Sequence, residues 1–246
     1  MISIIVPTLN EEDNINDFFH SLDCQSWHQF EVIVVDGGSK DLTVEKAGKY
    51  GAKVIVEPLC PEFQSRNLGA KKAKGDILLF TCADVMFPEK LLDTVNKKFT
   101  ADSSLIALSG PGVPIDAPTI GRMEYELYNM LRYFLAKLPY KLKRFSTSTN
   151  FLAVRRENFN KTCGFQPNDI NADGLMGKRL AQMGKINFSL HAQVHISARR
   201  MRKMGFVKFN KHYLYVLENF FPSLSKTIFI RKFKFKSGRV HRKMHE

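Results

Sequence analysis

The chain has little with which to cross-link, span or export itself. Its 246 residues include four cysteines and one tryptophan. Cys24, Cys60, Cys82 and Cys163 form no CxxC pair, and no histidine stands at finger spacing, so a structural zinc site is not expected. The cysteines are expected as reduced, buried thiols. No apolar run approaches the roughly 18 residues that a membrane-spanning helix needs. Ile77 to Phe80 is typical and has strand length. Met1 is followed by no basic stretch, apolar core and cleavage site, so the expected location is cytoplasmic, with a peripheral place on the cytoplasmic face of a membrane open to it. What is present suits a folded domain. Hydrophobic residues make up 44% and charged residues 25%, enough to bury a core and to exclude wholesale disorder.

Acid is scarce in one region. From Arg199 to Glu246, 14 Lys and Arg stand against 2 Asp and Glu, which is +12 of the total charge of +13. The remainder, 1–198, is nearly neutral at +1, so a basic C-terminal fifth is expected, with a domain at 1–205 followed by an extension at 206–246, and such a patch attracts polyanions. In a helix over 206–221, Phe206, Phe209, Tyr213, Val216, Leu217 and Phe220 fall within about 100° of arc, with Lys208, Lys211, His212 and Asn219 opposite. Aromatic and basic residues interleave from Ile228 to Lys236. This pattern suits an anchor on anionic lipid, and it equally suits a helix whose apolar face packs on the domain. No RNA- or DNA-binding module is recognisable, so nucleic acid is not an expected partner.

The first hundred residues alternate strand and helix signals. Strands are expected at Ile2 to Val6, Val32 to Val35, Val54 to Val56 and Ile77 to Thr81. Helices are expected at 11–23, from Asp41 or Thr43 to Tyr50, at 63–74, and at 88–99 with Pro88 near its first turn. Continuous apolar strands separated by helices imply an α/β fold with a mostly parallel sheet covered on both faces. Ligands bind such sheets at the carboxyl ends of their strands. Thr8 to Glu12, Asp36 to Ser39 and Asp84 all fall at those ends. Further on, 121–136 reads as an amphipathic helix with Met123, Leu127, Met130, Leu131 and Phe134 in register. The stretch from Lys141 to Asn150 reads as a loop and Asn150 to Val154 as a strand. A helix from Asp173 to Met183 is ended by Gly184, and Ile186 to Leu190 with Gln193 to Ile196 suggests a hairpin.

Ile4-Ile-Val-Pro-Thr-Leu-Asn-Glu-Glu12 followed by Val32-Ile-Val-Val-Asp-Gly-Gly-Ser-Lys-Asp-Leu-Thr43 resembles the opening of a family 2 glycosyltransferase. Ser65-Arg-Asn-Leu-Gly-Ala70, Gly75-Asp-Ile-Leu-Leu-Phe80, Asn150 to Arg156, Ala172-Asp173 and Ser197-Ala-Arg-Arg200 continue the likeness in the family's order, over roughly 2–205. The resemblance implies a GT-A fold, a nucleoside-diphosphate sugar donor, and transfer with inversion at the anomeric carbon. The acceptor would be a saccharide or a lipid-linked group at a membrane surface, contacted largely by residues 110–150.

By this resemblance, Pro7, Thr8, Asn10, Glu11, Asp36, Gly37 and Ser39 would hold the nucleotide. Asp36 could accept hydrogen bonds from a base, and a helix-capping Asx turn is the plain alternative. Arg66 would reach diphosphate or base, and Arg199 and Arg200 would grip diphosphate through their planar forks. The metal motif departs from the family's Asp-x-Asp, because the stretch here is Cys82-Ala83-Asp84. Asp84, with His195 as a further candidate ligand, would hold Mg²⁺ or Mn²⁺, for which a thiol is a poor partner. Asp173 would be the general base that deprotonates the acceptor, and Ala172 replaces the acidic residue usual before it. The missing Asp and Glu keep a second reading in view, a non-catalytic relative that binds nucleotide sugar or a lipid surface.

Overall fold

The structure is a computed structural model that describes residues 1–138, 147–166 and 172–205. The expected helix over 206–221, the basic extension, and most of the loop after Lys141 lie outside the described residues.

The first half follows its apolar pattern closely. β1 (Ile2–Thr8) leads to α1 (Ile15–Asp23), then β2 (Phe30–Asp36), α2 (Thr43–Lys49), β3 (Lys53–Val56), α3 (Glu62–Lys72) and β4 (Ile77–Phe80). β1 pairs in parallel with β2 on one side and β4 on the other, and β2 pairs in parallel with β3. Ile2, Ile4 and Val6 pack with Phe18, Phe19 and Leu22 of α1 on one face of the sheet. Ile5, Ile33 and Val35 pack with Ala70 and Ala73 on the other. Both faces are therefore covered, which is why these strands are apolar throughout rather than alternating. Each fully buried Ile or Phe contributes about 1.5–3 kcal/mol. α3 comes close because of Gly69, where a Cβ would stand 2.5 Å from Ile5 Cγ2.

The second half departs from expectation. β5 (Val85–Met86), β6 (Leu105–Ser109) and β7 (Gly112–Pro114) were not anticipated, while α4 (Leu91–Ala101) starts three residues after Pro88. α5 spans Thr119–Lys137. β8 (Leu152–Arg155), α6 (Arg156–Lys161), α7 (Ala172–Met183), β9 (Lys185–Phe188), β10 (Val194–Ile196) and α8 (Arg199–Met204) complete the order. Among the described residues, the main sheet runs β3-β2-β1-β4-β8-β6-β9, and β5-β10-β7 forms a small second sheet. β8 is antiparallel to β4 and β6. The expected hairpin of β9 and β10 does not form, because β9 joins β6 in the main sheet while β10 is the middle strand of the small one.

One expectation about burial is also corrected. All four cysteines are free thiols, but Cys24 and Cys163 are exposed and Cys60 and Cys82 only half-buried. α5 has the expected amphipathic pattern, yet its polar side faces the protein. Asn129 donates to Gly112 O at 2.9 Å, and Arg132 lies over the Phe188 ring at 4.8 Å with Nη2 3.4 Å from Ser109 Oγ. The rim of the sheets offers carbonyl and hydroxyl acceptors here, so the helix meets it with donors.

Candidate active site

The carboxyl ends of β1, β2 and β4 open on one side of the sheet. β1 stays paired with β2 through Thr8 and Asp36, but it pairs with β4 only as far as Ile5 and Phe80. Pro7, with no N–H to give, falls where β1 has already left β4. The reversal of strand order between β1 and β4 makes this the usual place for a ligand crevice in an open α/β sheet.

Two loops are stitched together here. Asp36 is fully buried, and its carboxylate accepts from Thr8 Oγ1 at 2.8 Å, Gly38 N at 2.9 Å, and Ser39 N and Oγ at 2.7 and 2.5 Å. Asp36 thus shapes the loop after β2 and does not cap α2, which begins at Thr43. Gly38 takes φ +96, a left-handed geometry that glycine adopts without strain. Gly37 N donates to Thr8 O. Asn10, itself at φ 52, accepts from Lys40 N and donates its own N–H to Ser39 Oγ. The N-cap of α2 is Leu42, with no side-chain cap hydrogen bond, and not Asp41 or Thr43 as expected; Asp41, one residue earlier, receives Thr43 N, and Thr43 Oγ1 receives Glu11 N.

Glu11 is 6% exposed and links this corner to the other end of the chain. Arg199 meets it with a fork, Nη2 to Oε1 at 2.9 Å and Nη1 to Oε2 at 3.1 Å. The same Nη2 is 3.6 Å from Asp84 Oδ2. Burial works against the Arg199 charge, but Glu11 and Asp84 outweigh it and hold its pKa above the usual arginine value. Arg199 opens α8, and Asp116 fixes that opening by accepting from Ala198 N and Ser197 Oγ. The Arg200 side chain lies outside the described residues.

Below Asp84 sits a second charged cluster. Arg66 is fully buried on α3 and donates to Thr81 O at 2.7 Å, Glu62 Oε1 at 2.8 Å and Cys82 Sγ at 3.1 Å. Arg66 thus braces the metal-motif loop from beneath. Burial pushes the Cys82 thiol up to about 12 despite Arg66, so the sulfur is neutral near pH 7. Asp173, second in α7, is half-buried; its carboxyl accepts from Gly174 N at 2.8 Å, and Thr147 Oγ1 donates to its carbonyl. Burial lifts the Asp173 carboxyl above the usual aspartate value, against the pull of the Gly174 N–H, Arg132 and Arg66.

Several of the predicted residues, from Asp36 to Asp84, are therefore joined by hydrogen bonds, ion pairs or adjacency in the chain. Asp36 meets Ser39, Ser39 meets Asn10, Glu11 follows and holds Arg199, and Arg199 reaches Asp84. Cys82 feels Asp84 and Arg66, and Asp173 feels Arg66 and Arg132. His195 lies on β10 opposite Met86, a short step from Ser197, whose N–H donates to Asp84 O. Among the described residues no three His, Cys, Asp or Glu side chains converge to hold a metal ion. Asp84 offers a hard oxygen ligand beside Arg199, which fits an ion that takes its other ligands from diphosphate and water. Sequence reading missed Glu62, Asp116 and Arg132. Glu62 stands four residues before Arg66, a spacing that marks helix ion pairs. Asp116 and Arg132 act through tertiary contacts with no local signature.

Comparison with known proteins agrees with this architecture. A mostly parallel sheet flanked by helices, with acidic residues at the carboxyl ends of its strands, is an open α/β fold of the kind that binds ligands along that edge. The family model described as "Glycosyl transferase family 2" matches residues 3–163, and the chain belongs to that family. The O-antigen chain rhamnosyltransferase WbaN of Salmonella anatum is 27% identical over 221 residues, covering 84% of this chain and 69% of that protein. The dolichol-phosphate mannosyltransferase of Pyrococcus furiosus is 34% identical over 97 residues, covering 37% of this chain and 28% of that one. The chain spans about a third or less of the length of that relative and of several others it matches. Mannosyltransferase PcManGT from Pyrobaculum calidifontis, solved with GDP-Man and Mn²⁺, superposes with TM-score 0.65 at 21% identity, covering 86% of this chain and 64% of that chain. It shares the fold.

Proposed function

We propose that the chain is an inverting glycosyltransferase that moves a sugar from a nucleoside-diphosphate sugar to an acceptor hydroxyl or a lipid-linked phosphate at a membrane surface. The observation that carries this reading is the set of hydrogen bonds and ion pairs that links Asp36, Ser39 and Asn10 to the neighbouring Glu11, and Glu11 through Arg199 to Asp84. Residues 7–11 and 36–39 hold base and ribose, with Asp36 setting the shape of the loop. Arg199, with Arg200 beside it in sequence, meets the diphosphate. The acceptor oxygen attacks the anomeric carbon from the face opposite the diphosphate, and the new C–O bond forms as the sugar–phosphate C–O bond breaks. The acceptor proton passes to the Asp173 carboxylate, and the nucleoside diphosphate leaves with the bonding pair. A phosphate acceptor needs no such proton transfer, and Asp173 then orients it. An Mg²⁺ or Mn²⁺ ion held by Asp84, as the Mn²⁺ of the Pyrobaculum complex suggests, would supply further positive charge to the leaving diphosphate. A lipid-linked acceptor is suggested by the dolichol phosphate in the name of the Pyrococcus relative.

A thermal-shift series with UDP-, GDP- and dTDP-sugars, with and without Mn²⁺, tests this reading. Stabilisation by one donor names the base, whereas no stabilisation by any donor removes the proposal. The neutral Cys82 and the alanine at position 172 motivate the rival reading, a binding module without catalysis. Donor binding with neither hydrolysis nor transfer would favour that rival.

A further inference from the structure

Arg66 is a charge that cannot be shed in an enclosed place. A guanidinium stays protonated at any ordinary pH, and this one is fully buried on α3. Taking such a group out of water is costly unless an opposite charge comes with it. Nη1 donates to Thr81 O at 2.7 Å, while Nη2 lies 2.8 Å from Glu62 Oε1 and 3.1 Å from Cys82 Sγ. Nε is buried and has no hydrogen-bond partner among the described residues. A carbonyl and a thiol accept a hydrogen bond but bring no full charge. Of the groups that touch the guanidinium among the described residues, Glu62 alone is a carboxylate.

The other two partners of Arg66 are consecutive in the chain and follow β4. Thr81 Oγ1 also donates to Asn150 O at 2.9 Å, and Cys82 Sγ stands 3.9 Å from Asn150 Oδ1. Thr81 and Cys82 are thus held between α3 on one side and Asn150, just before β8, on the other. Asp84 comes two residues later.

We propose that Glu62 is a positioning residue for this stretch: its carboxylate supplies the counter-charge that lets Arg66 stay buried against Thr81 and Cys82. The charge sits at 62 because position 82 is a cysteine, and a carboxylate at 82 would meet the same Nη2 and take its place. An acidic residue in the first turn of a helix has a plainer use, offsetting the helix dipole. That use could not pass to residue 82, which is outside α3. The proposal deepens the part given to Asp84 and rests on that reading for it, while the charge on Arg66 stands apart from it.

The test is a double-mutant cycle on the full chain in EDTA, with Glu62→Gln, Cys82→Asp and both together. Glu62→Gln should lower the folding constant in a urea melt by about 10- to 100-fold, the worth of a charged hydrogen bond. It should also quicken hydrogen exchange over residues 81–85 while β2 stays protected. Cys82→Asp alone should destabilise as well, since two carboxylates then crowd one nitrogen. The two together should recover most of the stability and the local protection, and Glu62→Gln with the uncharged Cys82→Asn should not. Additive losses, or equal recovery with Cys82→Asn, would overturn the exchange of charge. Coupled stabilities with exchange over 81–85 unaltered throughout would make the pair structural and overturn the positioning role. A Glu62→Gln protein identical to the parent in both readouts would overturn the proposal entirely. If Glu62→Gln alone does not fold, folding of the variant with Cys82→Asp but not of the one with Cys82→Asn decides for the proposal, and any other pattern decides against it. Neither readout needs a donor, so a chain that behaves as expected here yet binds no nucleotide sugar breaks the proposed function only.

Discussion

The two halves of the site hold polar groups at the cleft by different means. Around β1 and β2, loop meets loop through close hydrogen bonds, and Asp36 alone takes four donors. Around α5, α7 and α8, the functional charges depend on partners far away in the chain, with Arg199 reaching back 188 residues to Glu11. The first half is pre-shaped before any ligand arrives. The second holds its charges in burial and ion pairing that a ligand can exchange, so chemistry is expected to be most sensitive there and binding shape most sensitive in the first.

The sharpest break of that comparison is Asp173→Asn. Transfer to a hydroxyl acceptor should fall by about 10²–10⁴-fold, the usual worth of a general base, with donor affinity little changed by calorimetry. Unchanged turnover would remove Asp173 from the mechanism. The pH profile adds a sign. The Asp173 pKa is raised by burial, so the folded state holds this proton at pH values where the unfolded chain has lost it. Stability from this group is present at acid pH and declines as pH rises past the ordinary aspartate range. The carboxylate needed for catalysis forms over the same interval. Asp173→Asn should therefore melt higher than the parent at neutral pH while losing activity.

Arg199→Ala should weaken donor binding by about 10- to 100-fold, in line with about 1.5–3 kcal/mol for a charged hydrogen bond. Arg199→Lys should recover only part of that, since an ammonium cannot form the fork. Equal affinity in all three proteins would show that the ion pair is structural. Gly69→Ala tests the rigid half. Its Cβ would collide with Ile5, and overpacking of this kind costs about 1–3 kcal/mol in a denaturant melt. The smallest effect belongs to Cys82. Its thiol is enclosed and pushed up to about 12, so maleimide at neutral pH should label the exposed Cys24 and Cys163 and spare Cys82.

Legibility in the sequence follows the same division. β1, β2 and β4 are buried on both faces, so they appear as apolar runs, and their polar ends could be read directly from residues such as Thr8, Asp36 and Asp84. Asp173 and Arg199 were visible through family likeness, because single polar residues at helix starts have many ordinary uses. β6 went unseen since Leu105–Ser109 is short and its partners lie far along the chain. The orientation of α5 went unseen because periodicity gives the existence of an apolar face but not its direction. Asn129 and Arg132 find acceptors only once β6 and β7 are in place. Asp116 gains its meaning from Ala198, 82 residues away.

Arg199 holds Glu11 and Asp84 through one guanidinium before any ligand enters. Under the proposed function, an arriving diphosphate would compete with those two carboxylates for the same arginine. Its entry would then be an exchange of partners and not the filling of an idle place.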